Sequence, residues 1–308
     1  MPSGFTTRPP FEQAPADLRA AIEAAVGSRI AGTESIHGGM SPGPAALLTL
    51  RDGRQVFAKA VAASIDSTSH LLYARELETL RVLPPTVPHA PLVAGVEHRD
   101  WIVVVTEAAD GPALGPPWRS QDVAIVADAI ATSAALTDVP TLGPAIDRLP
   151  DLDGWYTLAH EHPDQLDDWE RARINGLVAI SDGWRTWTAG RHLVHLDIRC
   201  DNAVPRGDEV WLVDWASACH GAAWIDTASL AVDVVASGHV GGQHVAVSLS
   251  QGLLSQLPYE ATRFVVAVAG MLRRESLLPA WPALPGFRDW QRHRALSLRP
   301  LVERLVSR

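Results

Sequence analysis

Three oxygen-bearing side chains stand at a spacing that suits phosphate chemistry. In His195-Leu-Asp197-Ile-Arg199-Cys-Asp201-Asn202, the Asp197 carboxylate is followed five residues later by the Asn202 amide. A second carboxylate, Asp214, comes twelve residues after that in Val210-Trp-Leu-Val-Asp214-Trp215. Asp197 could accept the proton of an attacking hydroxyl. Asn202 and Asp214 are hard oxygen donors that could hold magnesium beneath a nucleotide's phosphates. His195 is better placed to bond the loop's backbone than to shuttle a proton.

The surrounding residues predict the elements that would bring these groups together. Asn202-Ala-Val reads as the start of a strand, Pro205-Arg-Gly207-Asp208 as a turn and Val210 to Trp215 as the return strand. Folded about that turn, Asn202 lands nearly opposite Asp214. A surface hairpin with polar ends would explain a bare His-x-Asp triplet equally well, but the Asn offset and the strand-end Asp together are more specific. Protein kinases write the same spacing as H-R-D-L-x-x-x-N and then D-F-G. Here Leu196 replaces the Arg, and Trp215-Ala216 replaces Phe-Gly.

Of the 26 basic residues, only Lys59 is a lysine. It lies in Gln55-Val-Phe-Ala-Lys59-Ala-Val61, a strand-like run after the turn pair Asp52-Gly53, with Leu47 to Leu50 as hairpin partner. By alternation Lys59 shares a face with Phe57 and Val61, so its stem should be buried. A buried ammonium needs partners, and phosphates plus a carboxylate would serve. A compact point charge fits such a site where a guanidinium fork does not. The partner should lie on the helix predicted for Ser67 to Leu83, where Tyr73, Leu77, Leu80 and Leu83 recur at helical spacing. Glu76 is the first choice and Glu78 the second, with Ser67 or Ser69 as the cap.

Upstream, Ile36-His-Gly38-Gly39-Met-Ser41-Pro42-Gly43 is a glycine-rich turn whose N–H groups could approach a phosphate. Pro42 offers no N–H, while Ser41 and Gly43 can contribute. Downstream, Trp101-Ile-Val-Val-Val-Thr106 is an apolar strand that runs out into Glu107-Ala-Ala109-Asp110-Gly111. Its exposed backbone from Glu107 to Ala109 could pair with an adenine edge. The candidate nucleotide residues are therefore Gly39, Ser41, Lys59, Glu76, Glu107 and Ala109.

In this order, the motifs resemble the aminoglycoside phosphotransferase and choline kinase-like family. The family pattern is a Gly-Gly-x-Ser loop, a strand lysine, an Arg-Glu-x-x-x-Leu helix, a hinge ending in Glu-x-x-x-Gly, then His-Gly-Asp-x-x-x-x-Asn, Ile-Asp-Trp and Gly-Asp-Pro-x-x-Asp-Leu-Ala. This chain offers Gly38-Gly39-Met-Ser41, Lys59, Arg75-Glu76 with Leu80, Glu107 to Gly111, His195-Leu-Asp197 with Asn202, Val213-Asp214-Trp215 and Gly221-Ala-Ala-Trp-Ile-Asp226-Thr-Ala228. The match runs from about residue 36 to residue 230.

The resemblance implies an α+β, bilobal protein-kinase-like fold. A small, mostly antiparallel β N-lobe over 1–108 would bind the nucleotide. A larger, mainly helical C-lobe over 109–308 would carry catalysis and the acceptor. It implies Asp197 as catalytic base, Asn202 and Asp214 as Mg2+ ligands, Lys59 as phosphate anchor and Asp226 as a structural acid steadying the loop. ATP or GTP would be the phosphate donor. The chain departs from the family at Leu196, where Gly is usual, at Pro42, where Asn is common, and at Ala222-Ala223, which replace Asp-Pro. Arg199, two residues after the base, could neutralise the γ-phosphate or pair with Asp201.

Size and composition set the frame. A chain of 308 residues suffices for two modest domains. A net charge of −9 argues against a nucleic-acid binder and is compatible with a cationic small substrate. Cys200 and Cys219 form no disulfide framework and suit a reducing cytoplasm. The N-terminal residues lack a signal-peptide pattern, and apolar runs such as Phe264 to Leu272 are too short to span a bilayer. A soluble cytoplasmic protein with no membrane partner is expected.

The function this supports is a phosphotransferase with an alcohol group as acceptor, acting on an aminoglycoside or other antibiotic, an amino sugar or a related hydroxyl-bearing metabolite. The alternative is a catalytically inactive, nucleotide-binding regulatory protein with a kinase fold. A metal hydrolase using His195 and Asp197 would need more histidines at ligand spacing; His160 and His162 form no such set. Residues 151–170 hold seven acids and no Lys or Arg. They could face a polyamine-like acceptor, although a charge run is more often a solvated helix face. Trp155, Trp169, Trp184 and Trp187 fall in the same region, as platforms for a sugar or cation or as core.

Overall fold

The computed structural model describes residues 8–37, 39–281 and 284–306. Gly38 of the glycine turn, Pro282 of a proline-rich break and the first seven residues of the chain lie outside them. The chain forms two compact units. One is built from residues up to Pro112 together with Val204–Ser217. The other comprises Ala113–Ala203, Ala218–Trp281 and the residues from Gly286 onward.

The first unit opens with helix α1 (Ala16–Val26), followed by strands β1 (Ile30–Ser35), β2 (Ala45–Leu50) and β3 (Gln55–Ala62), helix α2 (Ser67–Val82), and strands β4 (Leu92–His98) and β5 (Trp101–Glu107). The five strands form one antiparallel sheet in the order β1-β2-β3-β5-β4. The β2–β3 hairpin turns at Gly53, whose φ of 89° suits glycine. Strand alternation sends Leu48, Leu50, Val56, Ala58, Ala60, Val103 and Val105 to one face, where they bury Phe11 and the Leu18, Ile22 and Val26 stripe of α1. Lys59 has the opposite parity and points away from that core. Helix α2 packs against β3 and β5 and buries Tyr73, Leu77 and Leu80, as its spacing predicted. Its cap is Asp66, which accepts from the N–H groups of Thr68 and Ser69. Ser67, one of the two expected caps, is already the first helical residue. A carboxylate one position earlier reaches the free donors of the first turn.

The second unit contains α3 (Ser120–Ala134), α4 (Gly154–Glu161), α5 (Asp168–Ser181), the single turn α6 (Trp184–Trp187) and strand β6 (His192–Val194). The chain then returns to the first unit for the hairpin strands β7 (Ala203–Arg206) and β8 (Glu209–Leu212), and the second unit resumes with β9 (Cys219–Gly221), which pairs with β6, and helices α7 (Ile225–Ser237), α8 (Gln243–Leu254), α9 (Tyr259–Glu275), α10 (Phe287–Ser297) and α11 (Arg299–Val306). The core gathers on α7, buried along most of its length, with α9 beside it and Trp155 of α4 donating to the Val266 carbonyl at 2.8 Å. No helix among the described residues is long and apolar enough to cross a membrane.

The hairpin forms where expected, with shorter arms. Cys200–Asn202 is a 3-10 turn, so the first strand starts at Ala203 rather than Asn202. The return strand ends at Leu212 rather than Trp215, because Asp214 takes φ 66°, outside strand geometry, and Trp215–Ser217 closes as another 3-10 turn.

The acidic stretch 151–170 is largely occupied with its own structure. Asp167 and Glu170 make a capping box on α5. Glu170 is buried and paired to Arg273 at 2.9 Å and to Arg299 at 3.2 Å. Asp153 holds Arg185 at 2.9 Å. Trp155 and Trp184 are core residues. Trp169 and Trp187 are half-buried, the first under Arg173 and Arg299 and the second under Arg263.

Candidate active site

In the first unit the lone lysine is buried and held by two carboxylates. Lys59 Nζ lies 2.8 Å from Glu76 Oε2, and it also bonds Asp214 Oδ1. The Tyr73 ring faces the ammonium at 5.0 Å. Helical spacing on α2 thus delivers Glu76, while a residue 155 positions downstream supplies the second carboxylate. Burial opposes the lysine's charge, but the two carboxylates outweigh it and hold Lys59 protonated, above its ordinary range. Burial pushes Glu76 up to about 7, with Lys59 pulling the other way. Trp215, next to Asp214, is fully buried and donates to the Leu212 carbonyl at 2.8 Å. The α2 helix packs on this 215–217 turn, so one helix positions Glu76 and supports the chain that carries Asp214.

The glycine turn is tightly built. A side chain at Gly43 would meet the Ala60 carbonyl oxygen at 1.9 Å, so the turn lies flat against the backbone beside Lys59. Gly39 has φ 83°, and a methyl there would stand 2.6 Å from Arg8 Nη2. Arg8 also donates to the Gly43 carbonyl at 3.1 Å. Ser41 is buried, and its Oγ accepts weakly from the Gly43 N–H at 3.4 Å.

At the end of β5, the Glu107 N–H donates to the Pro91 carbonyl, and its side chain faces Arg206 at 3.6 Å. The Ala109 N–H makes no backbone hydrogen bond among the described residues. Glu107, Ala109, Asp110 and Arg206 line a groove of ≈ 710 Å³. Asp110 pins the hairpin to this segment through Arg206 and the Gly207 N–H at 2.7 Å.

In the second unit, residues 195–202 form a loop around Asp197. Its carboxylate accepts from Arg199 Nη1 at 3.0 Å on one oxygen and from Asn202 Nδ2 at 2.9 Å on the other. Asn202 Nδ2 also bonds the Asp197 carbonyl at 2.9 Å. This fixes the amide and turns Asn202 Oδ1 toward Arg199 Nη2, at 3.5 Å. Arg199 grips Asp201 through Nε at 2.9 Å as well, so the local ion pair exists alongside the contact with Asp197. His195 is buried, and its Nδ1 accepts the Asp197 N–H at 3.2 Å, the structural use expected of it.

Asp226 holds the start of this loop. Its oxygens accept the N–H groups of His195 at 2.7 Å and Leu196 at 2.9 Å. Burial pushes its pKa up to about 6, while these two bonds pull it down. The clamp explains how Leu196 can occupy φ 66°, the left-handed region that favours the glycine usual in the family. For a non-glycine residue that conformation costs about 1–2 kcal/mol. Leu196→Gly should therefore leave stability unchanged or raise it by about 1 kcal/mol, and Leu196→Val should lower it by more than that. Chemical denaturation of the three proteins measures this, and a marked loss in the glycine variant would contradict it.

Sequence reasoning missed one supporting acid. Asp233, fully buried on α7, accepts the Cys200 N–H within the loop and pairs with Arg294. The signal was present: a single carboxylate in the apolar run Leu230-Ala-Val-Asp233-Val-Val-Ala236 must be paired if it is buried.

The antiparallel sheet with its crossing helix, and the helical unit bearing a His-x-Asp loop, define an α+β protein-kinase-like fold. It is the fold of small-molecule kinases of the aminoglycoside phosphotransferase and choline kinase type. A thermostable mutant of aminoglycoside phosphotransferase APH(4)-Ia, solved with AMP-PNP and hygromycin B, is similar with a TM-score of 0.61 at 13% identity, over 94% of this chain and 98% of that one. A choline/ethanolamine kinase family protein from Mesorhizobium loti is similar with a TM-score of 0.58 at 15% identity, over 94% and 97%. The AMP-bound spectinomycin phosphotransferase APH(9)-Ia gives 0.57 at 12%, over 94% and 96%. No protein-family model and no curated protein matches the sequence.

Proposed function

We propose that the protein is a small-molecule kinase that transfers the γ-phosphate of ATP or GTP to a substrate hydroxyl. The observation that carries this reading is the single lysine of the chain, buried and held between Glu76 and Asp214. That arrangement suits a nucleotide's phosphates, which a buried lysine anchored by a helix Glu is placed to hold, with the part-exposed Asp214 beside it. The similar solved structures include enzymes crystallised with AMP-PNP, hygromycin B and AMP, which supports a nucleotide and a small hydroxyl-bearing acceptor.

In this reading the Gly39–Gly43 turn and Lys59 hold the phosphates, and the backbone of Glu107 and Ala109 meets the base. The acceptor oxygen, hydrogen-bonded to Asp197, forms its bond to the γ-phosphorus. The bond from that phosphorus to the β–γ bridging oxygen breaks, the electron pair leaves with the nucleoside diphosphate, and the hydroxyl proton passes to Asp197. Asn202 Oδ1 and the Asp214 carboxylate are the oxygens that would hold magnesium, which supplies charge neutralisation to the phosphates when bound. No group of three or more His, Cys, Asp or Glu suited to a metal occurs among the described residues. A two-residue oxygen set completed by phosphates and water is what magnesium usually accepts.

Arg199 is assigned to the γ-phosphate, leaving Asp197 as the nucleotide arrives. Arg199→Ala should lower kcat by about tenfold or more with nucleotide affinity kept; unchanged turnover would reduce Arg199 to a brace for Asp201. The reading as a whole is tested by calorimetric titration of AMP-PNP with and without magnesium. Magnesium-dependent binding lost in Asp214→Asn is expected, and no binding under any condition would refute it.

A further inference from the structure

We propose that Asp233 is a positioning residue for the loop that carries Asp197 and Asn202, acting through the backbone N–H of Cys200. The inference rests on the phosphotransfer reading only where turnover is measured. The Asp233 carboxylate has no exposure, and its two oxygens divide four donors between them. Oδ2 accepts the Cys200 N–H at 3.0 Å and Trp118 Nε1–H at 2.9 Å. Oδ1 accepts Ser237 Oγ–H at 2.8 Å and Arg294 Nη2–H at 2.7 Å. One oxygen thus faces the loop, and the other faces the helices that fix it. Arg294 reaches in from α10, stacks over Trp290 at 4.8 Å and also donates to Ser237. Despite burial, Arg294 and these bonds hold Asp233 ionised, below its ordinary range.

The placement has a geometric logic. Asp233 follows Asp226 by seven residues on α7, which is two helical turns, so both carboxylates lie on one side of the helix. Asp226 takes the N–H groups of His195 and Leu196; Asp233 takes that of Cys200. The reacting Asp197 lies between the two clamps. Asn202, at the end of the 3-10 turn that starts with Cys200, donates to the Asp197 carboxylate. Releasing Cys200 would let the turn drift, and with it the amide that orients the base. Displacements of about 1 Å at a reacting group can cost about a hundredfold in rate. The Cys200 thiol itself takes no part in this: burial, with Asp233 and Asp201, pushes its pKa up to about 12, so it stays protonated.

Two variants separate positioning from bulk stability. Cys200→Pro deletes the donor and leaves the Asp233–Arg294 pair intact; proline is well tolerated as the first residue of a helical turn. The double variant Asp233→Val with Arg294→Met removes both charges together, which a core often accepts without loss of stability. Asp233→Asn with Arg294→Gln is the control, keeping an acceptor oxygen for Cys200. Amide hydrogen exchange over 198–202 and steady-state kinetics are measured on each. Cys200→Pro and the Val/Met protein should exchange about tenfold faster there and lose about ten- to a hundredfold in kcat, with both KM values held within about threefold. The Asn/Gln control should stay close to wild type in both measurements. If Cys200→Pro does not fold, the Val/Met protein decides. Protected amides and wild-type kcat in a folded variant would overturn the proposal, and so would an equal loss in the control. Absence of transfer by the wild type would refute the kinase reading instead, while exchange alone would still decide whether Asp233 sets the loop.

Discussion

Asp197→Asn is expected to lower kcat by about 10²–10⁴-fold, the range for removing a positioned proton acceptor, while nucleotide affinity stays within about threefold. Both Asp197 oxygens accept hydrogen bonds, from Arg199 and from Asn202. An amide of the same shape can satisfy only one of those donors and must turn its own N–H groups toward the other. It cannot take the hydroxyl proton, and it no longer holds both donors, although Asp201 still grips Arg199 at 2.9 Å. Nucleotide affinity is spared because Lys59, the Gly39–Gly43 turn and the Ala109 backbone are untouched. Steady-state kinetics beside equilibrium titration separates the two effects, and a parallel loss of binding would place Asp197 among the nucleotide contacts.

Lys59→Met is expected to lower kcat/KM for the nucleotide by about 10²–10³-fold, the typical cost of losing one preorganised charge donor. Lys59→Arg should restore little of it, because a planar fork cannot occupy the compact position between Glu76 and Asp214. The chain carries 25 other basic residues, all arginine, and this one position remains lysine. The same variant carries a pH signature. Burial already pushes Glu76 up to about 7, and removing the ammonium raises it further. A carboxyl whose folded pKa exceeds its unfolded value contributes stability that is fully present below the unfolded value and lost as pH rises through the folded one. Lys59→Met should therefore approach wild-type stability in mild acid and fall below it as the pH rises past about 7. Denaturation midpoints from pH 5 to 9 measure this, and a deficit independent of pH would contradict the ion-pair account.

The motif residues were legible because each depends on local spacing. Strand alternation placed the Lys59 stem in the interior, helical periodicity put Glu76 on the right face, and the five-residue offset brought Asn202 to Asp197. The supports were harder to read because they act across long separations. Nothing near Cys200 points to a carboxylate 33 residues downstream, and nothing near Asp233 points to Arg294. The left-handed conformation of Leu196 is held by the Asp226 clamp, and a leucine's own preference does not announce it. The acidic run 151–170 looked like a candidate cation surface; its spacing conceals a capping box and a buried pair that needed Arg273 and Arg299 from distant helices. Arg199 admitted two readings from sequence, and the structure shows its side chain reaching both Asp197 and Asp201.

Phosphotransfer is measured by following labelled γ-phosphate from ATP or GTP, with magnesium, onto a panel of hydroxyl-bearing acceptors. The panel spans aminoglycosides and other antibiotics, amino sugars and choline-like alcohols, with Asp197→Asn run in parallel. One acceptor class should take up label in step with nucleoside diphosphate release, with transfer by the variant about 10²–10⁴-fold slower. Nucleotide that binds but is never transferred to any acceptor, or equal transfer by the Asp197→Asn protein, would contradict that expectation.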